Sequence, residues 1–87
     1  MGRYKLAIEK DVYKQLRPLP QRDVKAILDR IESLSENPRP VDCKKLSSRE
    51  EYRIRYGNYR ILYRIEGDIL LVCVIKVGHR KDVYRQK

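Results

Sequence analysis

Tyr52-Arg53-Ile54-Arg55-Tyr56-Gly57-Asn58-Tyr59-Arg60-Ile61-Leu62-Tyr63-Arg64 decides how this chain reads. Gly57-Asn58 supplies a two-residue turn, because both residue types tolerate positive φ. With that turn as the whole loop, Tyr56 pairs with Tyr59, Arg55 with Arg60, Ile54 with Ile61 and Arg53 with Leu62. Side chains alternate faces along a strand. Arg53, Arg55 and Arg60 then share one face, and Ile54, Tyr56, Tyr59 and Ile61 share the other. Like charges directly opposite each other cost stability. A surface that accepts this cost points to an anionic partner, and a row of cations on one face points to nucleic-acid phosphate.

The charge distribution supports that reading. The net charge of the 87 residues is +9. Residues 44–64 carry a net +5 and residues 76–87 a net +4, so the rest of the chain is neutral overall. Such localisation marks an anion-binding surface rather than general solubility. It contains Lys44, Lys45, Arg53, Arg55 and Arg60 in the first stretch and Arg80, Lys81 and Arg85 in the second. Glu50 and Glu51 beside the hairpin read as charge compensation.

Outside the hairpin, Arg3 to Ile8 reads as a strand with Tyr4, Leu6 and Ile8 on one face. Glu9 to Leu16 reads as a short helix, with Ile8, Val12 and Leu16 four apart. Pro18 and Pro20 interrupt it, and Pro20 suits the first turn of the next helix. Gln21 to Ser35 is the clearest helix, with Val24, Ile27, Leu28, Ile31 and Leu34 as its buried stripe. A polar connection runs to about Arg49. Strands follow at Glu51–Tyr56, Tyr59–Ile65 and Ile69–Val77, with Glu66-Gly67-Asp68 as the second hairpin loop. The last strand is apolar on both faces, which suits an inner position under a helix layer. A two-residue loop pairs Arg60 with Ile75, and a three-residue loop pairs it with Val74. The expected fold is α+β, in the order β-α-α-β-β-β. A small, mostly antiparallel sheet packs on two N-terminal helices, and residues 1–87 form one domain.

Several classes of chemistry find no support. Cys43 and Cys73 are too far apart for a zinc knuckle, and no cluster of histidines or further cysteines joins them. No cofactor or metal is expected. There is no phosphate-cradling glycine loop and no Ser-His-Asp arrangement. No signal peptide and no apolar run of membrane-spanning length is evident, so a cytoplasmic protein without a membrane partner is expected. His79, the single histidine, lies just beyond the last strand, followed by Arg80 and Tyr84. A tyrosine ordinarily titrates near 10, so acting as a base at neutral pH requires nearby cations.

The segment Tyr52–Tyr63, followed by Val77-Gly78-His79-Arg80-Lys81-Asp82-Val83-Tyr84, resembles the RelE toxins of the RelE/ParE superfamily. The resemblance extends over nearly the whole chain. It implies the toxin of a type II toxin-antitoxin module, with a cognate antitoxin as partner. It further implies a metal-independent endoribonuclease that cleaves mRNA in the ribosomal A site. The ribose 2′-hydroxyl attacks the adjacent phosphate in such enzymes. By position, Arg53 and Arg55 match residues that hold the RNA backbone and aid the reaction. Arg60 matches the arginine that stabilises the phosphorane. Arg80 matches the arginine assigned to the leaving oxygen, and Tyr84 the tyrosine proposed as general base. His79 is a rival acid, because arginine, with a pKa above ~12, is a poor proton donor. Ribosome-dependent relatives commonly carry lysines where this chain has Arg53 and Arg55. The alternatives are a ParE-like DNA gyrase inhibitor without nuclease activity and a ribosome-independent RNase.

Overall fold

The hairpin forms with the register that its turn dictates. In the computed structural model, which describes residues 3–46 and 50–79, β3 (Glu51–Tyr56) and β4 (Tyr59–Glu66) are antiparallel. The Cα partners are Tyr56 and Tyr59, Arg55 and Arg60, Ile54 and Ile61, and Arg53 and Leu62. Gly57 has φ of +58°, whereas Asn58 does not enter the positive region. Only the first central residue therefore needs glycine's freedom, as in II′ turns.

Around this hairpin a five-stranded sheet assembles in the order β1-β5-β4-β3-β2. β1 (Lys5–Ile8) runs parallel to β5 (Leu71–His79), and the other pairs are antiparallel. The fifth strand, β2 (Lys44–Lys45), was not expected. It pairs with Arg53 and Tyr52 inside the segment read as a polar connection. The helices α1 (Lys10–Leu16) and α2 (Gln21–Ser33) follow the expected order, and α2 ends slightly earlier than the periodicity suggested.

The second hairpin departs from both expected registers. Its loop contains a 3₁₀ turn at Gly67–Ile69 and Leu70 in the left-handed region, with φ of 52°. Glu66 therefore pairs with Leu71. A bulge then intervenes: Tyr63 pairs with Val74 but Leu62 with Lys76, so Ile75 has no partner on β4. Arg60 faces Gly78, not Ile75 or Val74.

One face of the sheet carries the core. Tyr52, Ile54, Ile61, Tyr63, Ile65, Val72, Val74 and Val77 are buried against Val12, Leu16, Ile27, Ile31 and Leu34. Tyr56 and Tyr59 complete this face, half-buried. Leu28 was expected in the stripe but is 36% exposed, with Val24 half-buried beside it. Without phenylalanine or tryptophan, the core uses phenols, and each buried hydroxyl needs a partner. Tyr63 donates to the Pro38 carbonyl at 2.7 Å, and Tyr56 to Asp23 Oδ1 at 3.2 Å. Burial, followed by the neighbouring Cys43, pushes the Tyr63 hydroxyl well above its ordinary range.

Candidate nucleic-acid interface

The other face of the sheet has no helix over it among the described residues, and the register determines what it presents. Lys44, Arg53, Leu62 and Lys76 are successive Cα partners across β2, β3, β4 and β5. Arg55, Arg60 and Gly78 form the next row. Adjacent strands lie about 5 Å apart, so the first row spans about 15 Å. The result is a cationic half-sheet with the half-buried Leu62 in its middle.

The charge stops partway along the face. Arg64, counted in the basic stretch of the sequence, has Glu51 as its cross-strand partner. Its Nε donates to Glu66 at 3.0 Å, which holds the guanidinium above its ordinary range. Cys73, opposite Arg64, is 8% exposed, and burial raises its thiol pKa. Toward Gly57 and Gly78, by contrast, Arg53, Arg55 and Arg60 have no carboxylate among their cross-strand partners.

Arg60 is, with Arg53, one of the two half-buried arginines of these rows whose Nε is enclosed. It is half-buried, lies opposite Arg55, and has as its other neighbour a glycine, which places no side chain beside it. Its Nε is enclosed, with no acceptor among the described residues. A buried donor of a charged group without an acceptor is costly; Arg30 Nε on α2 is enclosed in the same way, so it is the opposition to Arg55 on the open face that sets Arg60 apart.

Other expected residues take different places. Lys45 pairs with Tyr52, whose side chain belongs to the core face, and its Nζ lies 3.4 Å from Glu50 Oε2. The structure therefore does not bring Lys45 to the cationic face. His79 ends β5 beside Tyr59, with ring centroids 6.1 Å apart and edge-on. Arg80, Lys81, Tyr84 and Arg85 lie outside the described residues. Lys76 was not singled out from the sequence. Val74-Ile75-Lys76-Val77 carries no alternation that marks it; the burial of Val74 and Val77, three apart, shows the bulge that turns Lys76 to this face.

A clamp supports the edge of this face. Arg39 Nε donates to the Tyr52 hydroxyl at 3.1 Å, and its guanidinium lies 5.4 Å from the ring centroid. The Tyr52 hydroxyl donates to Glu50 at 2.8 Å, and Arg39 pairs with Glu50 at 3.0 Å. These bonds, first from Tyr52 and then from Arg39, hold the Glu50 carboxyl below its ordinary range. Together with the bond from Tyr63 to Pro38 they dock the segment preceding β2 onto β3 and β4.

On the opposite side of the molecule, a groove of about 440 Å³ lies between the helices. Tyr13, Leu16, Leu19, Val24 and Leu28 line it, with Tyr13 53% exposed. Among the described residues, no helix is long and apolar enough to cross a membrane. None of their His, Cys, Asp or Glu side chains gather in a group that could hold a metal ion.

Comparison with known proteins agrees with this architecture. The family described as ParE toxin of the type II toxin-antitoxin system, parDE, matches residues 3–84. The chain belongs to the RelE/ParE family of type II toxins. Toxin RelE3 of Methanocaldococcus jannaschii is 34% identical over 85 residues, covering 92% of this chain and 94% of that one. Toxin RelG of Mycobacterium tuberculosis is 35% identical over 77 residues, covering 84% and 86%. The toxin-antitoxin complex RelBE2 of M. tuberculosis contains a chain that superposes with a TM-score of 0.77 at 28% identity. That match covers 90% of this toxin and 99% of the other chain.

Proposed function

We propose that this toxin is a ribosome-dependent endoribonuclease that cleaves mRNA in the A site and so inhibits translation in the cytoplasm. The observation that carries the reading is the half-buried Arg60, opposed by Arg55 and without an acceptor for its enclosed Nε among the described residues. A pentacoordinate phosphorane gathers negative charge on its equatorial oxygens, and preorganised cations lower its energy most where water is excluded. Arg60 supplies that charge. Arg53, Arg55 and Lys44 grip the backbone on either side, with Lys81 and Arg85 as flanking contacts. Because arginines supply the charge, the reaction proceeds without a metal.

The cleavage also needs a base for the 2′-hydroxyl and a proton for the leaving 5′-oxygen. The resemblance assigns these steps to Tyr84 and Arg80, with His79 as the rival acid at the end of β5. Arg53 and Arg55 retain the charge of the lysines common in relatives but are poorer proton carriers. A site with so weak an acid-base set relies on the ribosome to hold the message in a reactive geometry.

The second partner is an antitoxin. RelBE2 is a toxin-antitoxin complex, and the groove between α1 and α2 offers an apolar floor with exposed Tyr13 and Leu28. It suits the apolar face of an amphipathic segment of the cognate antitoxin.

The family description, which names ParE, favours one competing reading: inhibition of DNA gyrase without cleavage. Purified toxin added separately to programmed ribosomes, naked message and a gyrase supercoiling reaction distinguishes the three. Cleavage of ribosome-bound message ending in a cyclic phosphate is expected. Equal cutting of naked RNA, or inhibited supercoiling with intact message, would refute the proposal.

A further inference from the structure

We propose that Lys76 is an RNA phosphate-binding residue of this face, delivered there by the bulge at Ile75. The inference rests on the RNA-directed reading above and extends it by one residue and one structural device.

Val74 and Val77 are both buried in the core, at 0% and 2% exposure. In a regular strand, residues three apart face opposite sides. The bulge resolves the conflict by leaving Ile75 unpaired between the Tyr63–Val74 and Leu62–Lys76 pairs. Without it, Val77 would leave the core and Lys76 would enter it, or Val74 would leave it instead. With it, Lys76 stands beside Leu62 on the face that holds Arg53. The strands of Arg53 and Lys76 are about 10 Å apart, with Leu62 between them. Two long cationic side chains thus flank an apolar floor, on which the uncharged sugar or base of a bound strand can rest.

The bulge is held from the helix layer. β1 pairs with β5 only as far as Val74. Beyond that point the outer edge of β5 has no strand neighbour among the described residues, and Gln15 of α1 closes it. Its side-chain oxygen accepts from the Val77 N–H at 2.8 Å. The same bond fixes the strand that leads to Gly78, opposite Arg60. Gln15 is a positioning residue for both cations.

The test is a salt titration of binding. The probe is a fluorescein-labelled single-stranded RNA with methylated 2′-hydroxyls, which cannot be cut, followed by anisotropy. Each phosphate contact contributes about 0.7 to the slope of log affinity against log salt for a single strand. Lys76→Met retains the aliphatic stem and is expected to lower the slope by about 0.7, while Lys76→Arg restores it. Lys10→Met, on exposed α1, is expected to leave the slope unchanged. A Lys76→Met slope equal to wild type, with both proteins folded by circular dichroism, would overturn the inference while leaving the RNA reading intact. Wild type that binds without salt dependence would overturn the RNA reading and the inference with it.

Discussion

Replacing Arg60 by methionine should make this toxin more stable as well as inactive. Arg55 and Arg60 are direct cross-strand partners, and such like-charge pairs cost about 0.2–1 kcal/mol. The enclosed Nε of Arg60 adds the desolvation of an unanswered donor, which is about 1–3 kcal/mol when no water reaches it. Arg60 is only half-buried, so solvent and salt reduce both contributions. A net gain of about 1 kcal/mol is expected, because methionine keeps the apolar stem. For a domain of this size that raises Tm by about 4–8 °C. Thermal unfolding by circular dichroism at low and high salt measures it. The gain should shrink with salt, since the screening length falls from about 10 Å at 0.1 M to about 3 Å at 1 M. In a double-mutant cycle, Arg55→Met should add little stability once Arg60 is gone. An unchanged or lowered Tm for Arg60→Met would show that the pairing stores no repulsion, and the argument from cost to function would fail.

Other outcomes follow from the same contacts. Tyr63→Phe leaves the Pro38 carbonyl without its donor and should lower stability by about 1–3 kcal/mol; an unchanged urea midpoint would refute this. Gln15→Leu removes the acceptor of the Val77 N–H, so that amide should exchange with solvent faster, and undiminished protection would show that Gln15 does not hold the bulge. The folded state holds the Glu50 carboxyl below its ordinary range. Its contribution is therefore complete above that range, near pH 4.3, and is lost as pH falls through the lowered value. Denaturant titrations from about pH 6 to about pH 3 should show wild type losing its advantage over Glu50→Gln, and parallel curves would contradict the clamp.

The first hairpin was legible because two independent signals agreed. Its alternation gave the faces and Gly57-Asn58 gave the register, so those two patterns alone suffice to place Arg53, Arg55 and Arg60 together. The second hairpin carried no such redundancy. Glu66-Gly67-Asp68 looks like a short loop, but the turn extends through Leu70, a residue type that rarely adopts positive φ. A run apolar on both faces gives alternation nothing to register, so the bulge at Ile75 and the partner of Arg60 were missed. β2 was unreadable because Lys44-Lys45 has no apolar pattern; it is a strand because Arg39, Glu50 and Tyr63 dock its neighbours. Leu28 fits the helical stripe, yet it borders the groove between α1 and α2 and stays partly exposed.

Primer extension on message bound to programmed ribosomes tests the central claim most directly. Wild-type toxin should produce a new 5′ end within the A-site codon, and Arg60→Met, though folded and more heat-stable, should produce none. Intact message with wild type, or undiminished cutting by Arg60→Met, would contradict the assignment of the cationic sheet face as the site of cleavage.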